Sequence, residues 1–289
     1  MIKKLFVTTA VLGMFGTANA ADFSEADALW ERRAEGETVI NDARALYLAQ
    51  IDAGSLTDEE MVYATTQIGR LAVYQGDRFY DKDTDEGKEG RKQIFGDCWK
   101  THMPKINPIS KDNGESGDRS YGSSTPFALV TPQFFYWQGA CMALYGEVSG
   151  TAENIINVGR LNWTIRHGLE QDVTYEGGGI LRVKAGVVSN AKAKPLGLYN
   201  PKEGLELIDV AIAGAPYPGT SVSGADYCEN FERKALTLIE LERVEDAKAL
   251  LGETIETIQE AIDFEELPEG RIPETLHCKS ELETLVSTL

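Results

Sequence analysis

Histidine is scarce in this chain of 289 residues. The three present, His102, His167 and His277, are far apart, and none belongs to the two-histidine helix motif of metalloproteases. No serine occupies the glycine-flanked elbow of an α/β-hydrolase. Four cysteines occur, and no pair is separated by two intervening residues as in zinc and redox motifs. Basic charge is short as well: 28 Lys and Arg stand against 46 Asp and Glu, a net charge of −18. That balance disfavours nucleic acid and anionic membrane as partners, although a solvated surface needs no specific cationic ligand to explain it. Beyond residue 20 no run is apolar enough to span a bilayer. The expectation is a chain that binds and is not an enzyme, with no cofactor and no metal.

What is present begins with an address. Lys3 and Lys4 precede an apolar run from Leu5 to Phe15, and Ala18-Asn19-Ala20 suits a signal peptidase. Residues 1–20 read as a signal peptide, 21–289 as one helical-repeat domain delivered to the periplasm. Loss of the two lysines takes the charge to about −20. No cysteine stands at the cleavage point, which speaks against a lipid anchor. In an oxidising compartment Cys98, Cys141, Cys228 and Cys278 allow three pairings or stay buried thiols. Chain-order neighbours favour Cys98 with Cys141 and Cys228 with Cys278.

Helical periodicity runs along the rest. Ser24 reads as a cap for a first helix, and Val39, Ala43, Leu46, Tyr47 and Ile51 mark a second that Gly54 stops. Thr57-Asp58-Glu59-Glu60 is a capping box opening a third to about Gln75. Asp81, Asp83 and Asp85 begin like a calcium loop, but Glu86 replaces its glycine and Lys92 its bidentate glutamate; a solvated loop with an aspartate cap is the alternative. Lys105–Thr125 reads as a lid over a ligand or as an irregular connection. Four helices follow: 132–147, 151–170, 175–190 and 201–213. In the first, Phe134 to Trp137 are consecutive and point all round, so some face a partner helix, a cavity or another subunit. In the second, Ala152, Ile155, Ile156, Gly159 and Trp163 form the packing stripe. Gly177 to Gly179 could cradle a phosphate, but Glu176 opposes an anion and close packing is the other reading. Gly204, Ile208 and Ala211 form a narrow face for a close neighbour. A final helix from about Glu274 carries Leu276, Leu282 and Leu285 as a cap on the stack.

Five hairpins in series suggest a repeat. Phe231, Ala235, Leu238, Ala247 and Leu251 follow tetratricopeptide intervals, and Gly204, Ile208, Ala211 and Pro216 fit the second helix and terminating proline of such a repeat. The fold expected is therefore all-α, a tetratricopeptide-like stack of antiparallel helical hairpins (an α-solenoid) with a C-terminal capping helix. The aromatic helix Phe134–Trp137, Tyr175-Glu176-Gly177-Gly178-Gly179 leading to Arg182 and Gly186, and the loop Pro195–Asn200 give a more specific likeness. The chain resembles the T component of tripartite ATP-independent periplasmic (TRAP) transporters. That resemblance implies a homotrimer, a passage through each subunit and a periplasmic solute-binding protein as partner. The missing cleavage-site cysteine departs from the lipoproteins common in that family.

Trp137, Trp163, Tyr175 and Tyr199 are the candidate ligand-binding aromatics, because their rings combine apolar area with a polar tip. Arg182 is the candidate to hold a carboxylate. Ordinary core aromatics with an arginine reaching a surface acid are the alternative. The function expected is a transport accessory that docks a solute-binding protein and binds or passes an apolar or carboxylate ligand. The alternative is an envelope scaffold holding a peptide or protein in a helical groove.

Overall fold

A computed structural model describes residues 21–102, 129–213, 227–267 and 269–289. The expected signal peptide (residues 1–20), the loop Lys105–Thr125 and the turn residues Pro216, Pro218 and Gly219 lie outside the described residues. Within them the chain is helical, without a strand. Five antiparallel hairpins follow one another: α1 (Ser24–Glu31) with α2 (Glu37–Ala53), α3 (Asp58–Phe79) with α4 (Asp85–Asp97), and α5 (Pro132–Val148) with α6 (Thr151–Gln171). Then come α7 (Tyr175–Ser189) with α8 (Pro201–Ile212) and α9 (Cys228–Glu240) with α10 (Val244–Asp263), and α11 (Ile272–Thr288) ends the stack. This is the tetratricopeptide-like α-solenoid with a C-terminal capping helix that the periodicity predicts.

Local signals set most boundaries. Thr57 Oγ1 accepts from the Glu60 amide while the Glu60 carboxylate accepts from the Thr57 amide, the reciprocal capping box. Gly54 closes α2 in the left-handed region, at φ 69°. Two expected caps differ. Phe23 occupies the position before α1, and Ser24 instead donates its amide to Asp22. Thr84, not an aspartate, caps α4 by accepting from the Gly87 amide at 3.1 Å. Helix α3 also runs one turn past Gln75 to Phe79, so the acidic insert is a short turn from Tyr80 to Thr84.

Small residues permit the contacts between helices. A Cβ on Gly204 would lie 2.0 Å from Ser189 Oγ and 3.2 Å from the Ala185 carbonyl oxygen, so α7 and α8 pack at a distance only glycine allows. Ala211, Ala235 and Ala247 are buried at the neighbouring contacts. Helix α5 is the centre of the main core. Phe134, Phe135, Tyr136 and Trp137 are all buried, because α3 and α4 cover one side and α6 and α7 the other.

The stripe expected on α6 is corrected. Ile155 is 53 % and Ile156 80 % exposed, and the space around Gly159 is open. Arg160, Trp163, Thr164 and His167 make the inward face, with Trp163 packed edge-on against the His167 ring. Each residue turns the helix by roughly 100°, so a stripe read one position out of phase is carried from the packed face round to a flank that faces solvent.

Both favoured disulfides are formed, Cys98 with Cys141 and Cys228 with Cys278. The first ties the residue that ends α4 to α5, the second α9 to α11. No helix among the described residues is long and apolar enough to cross a membrane.

The stack closes on itself. Arg33, in the turn after α1, is 1 % exposed and pairs with Glu274 at the start of α11, 2.7 Å away and 241 residues on. Its second Nη donates to the Gly270 carbonyl at 2.6 Å. Lys82 pairs with Glu281, also from α11. In the inner row α3 touches α5, α5 touches α7, α7 touches α9 and α9 touches α11.

Candidate functional site

That closure leaves a cavity of about 880 Å³ bordered mainly by the first helix of each hairpin and by α11. Its walls are of two kinds. Trp30, Trp99, Trp137, Leu144, Val183 and Leu236 supply apolar surface, while arginines and carboxylates from α3, α7, α9 and α11 project between them.

One wall is organised by an unusual turn. At the start of α7, Glu176, Gly177 and Gly178 adopt left-handed backbone angles, with φ of 51°, 59° and 84°. A side chain on Gly178 would meet Ala211 Cβ at 2.7 Å, and one on Gly179 the Tyr136 ring at 2.6 Å. The triple glycine thus serves backbone geometry and close packing. Glu176 tolerates a conformation that costs an L-residue roughly 1–2 kcal/mol because its surroundings hold it. Its carboxylate accepts from Arg271 Nη1 at 2.9 Å, and its carbonyl accepts from Arg182 Nη1 at 3.3 Å.

Arg182 joins this turn to α5 and α9. It donates to Tyr136 Oη at 2.8 Å and to Asn230 Oδ1 at 2.7 Å, and Asn230 Nδ2 donates to the Gly177 carbonyl at 2.8 Å. Arg271 also pairs with both Glu229 oxygens at 2.8 Å and stacks over Tyr227. Burial pushes the Glu229 carboxyl up, but Arg271 and Arg182 outweigh it and hold the group below the usual carboxylate range. Burial pushes the Tyr136 phenol up.

At the α3–α11 seam the wall is acidic. Asp77 pairs with Arg91 at 3.0 Å, yet burial holds its pKa above the ordinary value. Burial raises Glu232 on α9 too; Arg233 and Lys82 oppose this, and Asp77 and Glu281 add to it. His277 is pushed down by burial and by Arg78. Among the described residues no group of His, Cys, Asp and Glu is placed to hold a metal ion.

The five expected ligand-binding residues divide. Trp137 and Arg182 border the cavity. Tyr175 stands behind Trp137, whose Nε1 donates to Tyr175 Oη at 3.0 Å, and is T-shaped against Tyr136. Trp163 is in the core between Phe135 and His167, away from the cavity. Tyr199 lies outside it as well, donating to Glu240 at 3.0 Å with Lys194 over its ring. Sequence reasoning missed Trp30, Arg70 and Asn230. Trp30 and Arg70 belong to separate helices, and only the i, i+4, i+7 and i+8 spacing of Arg70, Tyr74, Asp77 and Arg78 on α3 signalled a common polar face.

No family model matches the chain, and no curated protein matches it.

Proposed function

We propose that the chain is a periplasmic transport accessory, exported by the signal peptide read in residues 1–20, that docks a solute-binding protein and takes a ligand into its central cavity. Catalysis has no part in this reading. The carrying observation is the cavity of about 880 Å³ within the closed stack, large enough for a small molecule and walled by aromatic and aliphatic side chains with charged groups between them. A scaffold for peptides would be served by an open groove, whereas α11 here bridges back to Arg33 and Lys82. The resemblance to TRAP T components supports a solute-binding protein as partner and a homotrimer as assembly. Ile155 and Ile156, adjacent and exposed on the outer face of α6, support contact with another protein.

The test is a pull-down from native periplasm under mild cross-linking, with mass spectrometry of captured proteins and of small molecules extracted from the chain. A co-purified solute-binding protein and a bound small molecule are expected. Absence of both sinks the transport reading. Ile156→Asp should leave the urea midpoint within the equivalent of about 0.5 kcal/mol and lower the yield of captured protein.

A further inference from the structure

We infer that Arg70 is the carboxylate-recognition residue of the cavity, and that the ligand it holds is an apolar chain ending in a carboxylate. This rests on the reading of the cavity as a ligand site.

The observation is one of missing partners. With 46 acidic residues to 28 basic ones, carboxylates are in surplus everywhere on this chain. Accordingly Arg91, Arg271, Lys82 and Arg233, all on the cavity wall, each have a carboxylate within 4 Å. Arg182 has none among the described residues, but its guanidinium is occupied by Tyr136, Asn230 and the Glu176 carbonyl. Arg78 and Lys192 reach backbone carbonyls. Arg70 alone of these has neither a hydrogen bond nor a carboxylate partner among the described residues.

Its position is nevertheless fixed. The guanidinium carbon lies 3.8 Å from the centre of the Trp30 ring, a cation–π contact that holds the group without using its N–H donors. Tyr63 and Tyr175 are near enough to feel its charge: burial and the bond to Asp27 push the Tyr63 phenol up to about 12, and Arg70 opposes that rise. A planar fork laid over an aromatic ring matches the two oxygens of a carboxylate. From Arg70 to Asp77 α3 advances seven residues, roughly 10 Å at 1.5 Å per residue, and there the wall is acidic, with Asp77 and Glu232. A second anionic group would be repelled at that end. Between the ends Trp137, Val183 and Leu144 offer apolar surface to the tail.

The probe is 11-(dansylamino)undecanoic acid, compared with its methyl ester in fluorescence titrations of the full chain with both disulfides formed. The wild-type chain should bind the acid at least about tenfold more tightly than the ester. Arg70→Gln should abolish that preference by weakening the acid far more than the ester. Arg70→Met, whose stem still covers Trp30, reports the same ratio if the glutamine variant does not fold. Equal binding of acid and ester by the wild type, or equal weakening of both in the variants, overturns the assignment of Arg70 and leaves the cavity reading standing. If neither probe binds, the cavity reading falls and this inference with it.

Discussion

Asn230 shows how much one neutral side chain carries in this protein. It is fully buried, donates to the Gly177 carbonyl and accepts from Arg182, so it closes the circuit that holds the left-handed turn. Asn230→Ala leaves a buried carbonyl and a buried arginine proton without partners, and the expected loss is about 2–3 kcal/mol by urea denaturation. Glu232 behaves in the opposite sense. Its folded pKa is raised, chiefly by burial, so the folded state binds the proton more tightly than the unfolded chain. The stability this group contributes is therefore present at low pH and is lost as pH rises through its raised folded value. Glu232→Gln removes the cost of the buried charge. The urea midpoint of the variant should exceed that of the wild type at pH 7.5, and the difference should vanish near pH 4; a constant difference across that range would contradict the assignment. Neither role could be read from the residues themselves. An asparagine or a glutamate on an amphipathic helix is ordinary until its neighbours from other hairpins are known.

Helix pairs were far more legible. The capping box at Thr57, the left-handed stop at Gly54 and the small face of α8 all act within one or two turns of chain, and each occurs as its residues indicate. Close approach of α7 and α8 gives a direct test. Gly204→Ala places a methyl group against Ser189 Oγ and should cost about 1–3 kcal/mol. Adding Ser189→Ala removes the nearer obstacle, so the double variant should recover part of that loss in a double-mutant cycle. Where element-level reading failed, it failed by phase. Ala152, Ile155, Ile156 and Gly159 do share a side of α6, but α5 and α7 cover the flank next to it, which carries Arg160, Thr164 and His167. An apolar stripe locates a contact only if a partner faces it, and here four apolar or small residues face outward.

At the scale of the molecule, closure is the decisive event, and the second disulfide acts on it directly. Cys228 and Cys278 join α9 to α11 across 50 residues, and in the chain-entropy account a loop of that size is worth about 4 kcal/mol. The double variant Cys228→Ser/Cys278→Ser should lose stability of that order, and limited proteolysis should cut α11 before the other helices. Digestion of α11 at the wild-type rate would show that Arg33 and Glu274 suffice to hold the closure.

Sequence by itself determined the class of architecture, the order and approximate extent of the hairpins and the caps at Thr57 and Gly54, and it favoured the pairing of neighbouring cysteines without fixing it. These follow from periodicity, from backbone preferences and from groups close along the chain. Only the tertiary structure decided which face of α6 is bare, that Trp163 and Tyr199 lie off the cavity, and that Arg70 stands without a carboxylate among the described residues. Burial and charge compensation are sums over neighbours brought together from distant parts of the chain, 241 residues apart for Arg33 and Glu274, and no local pattern contains them.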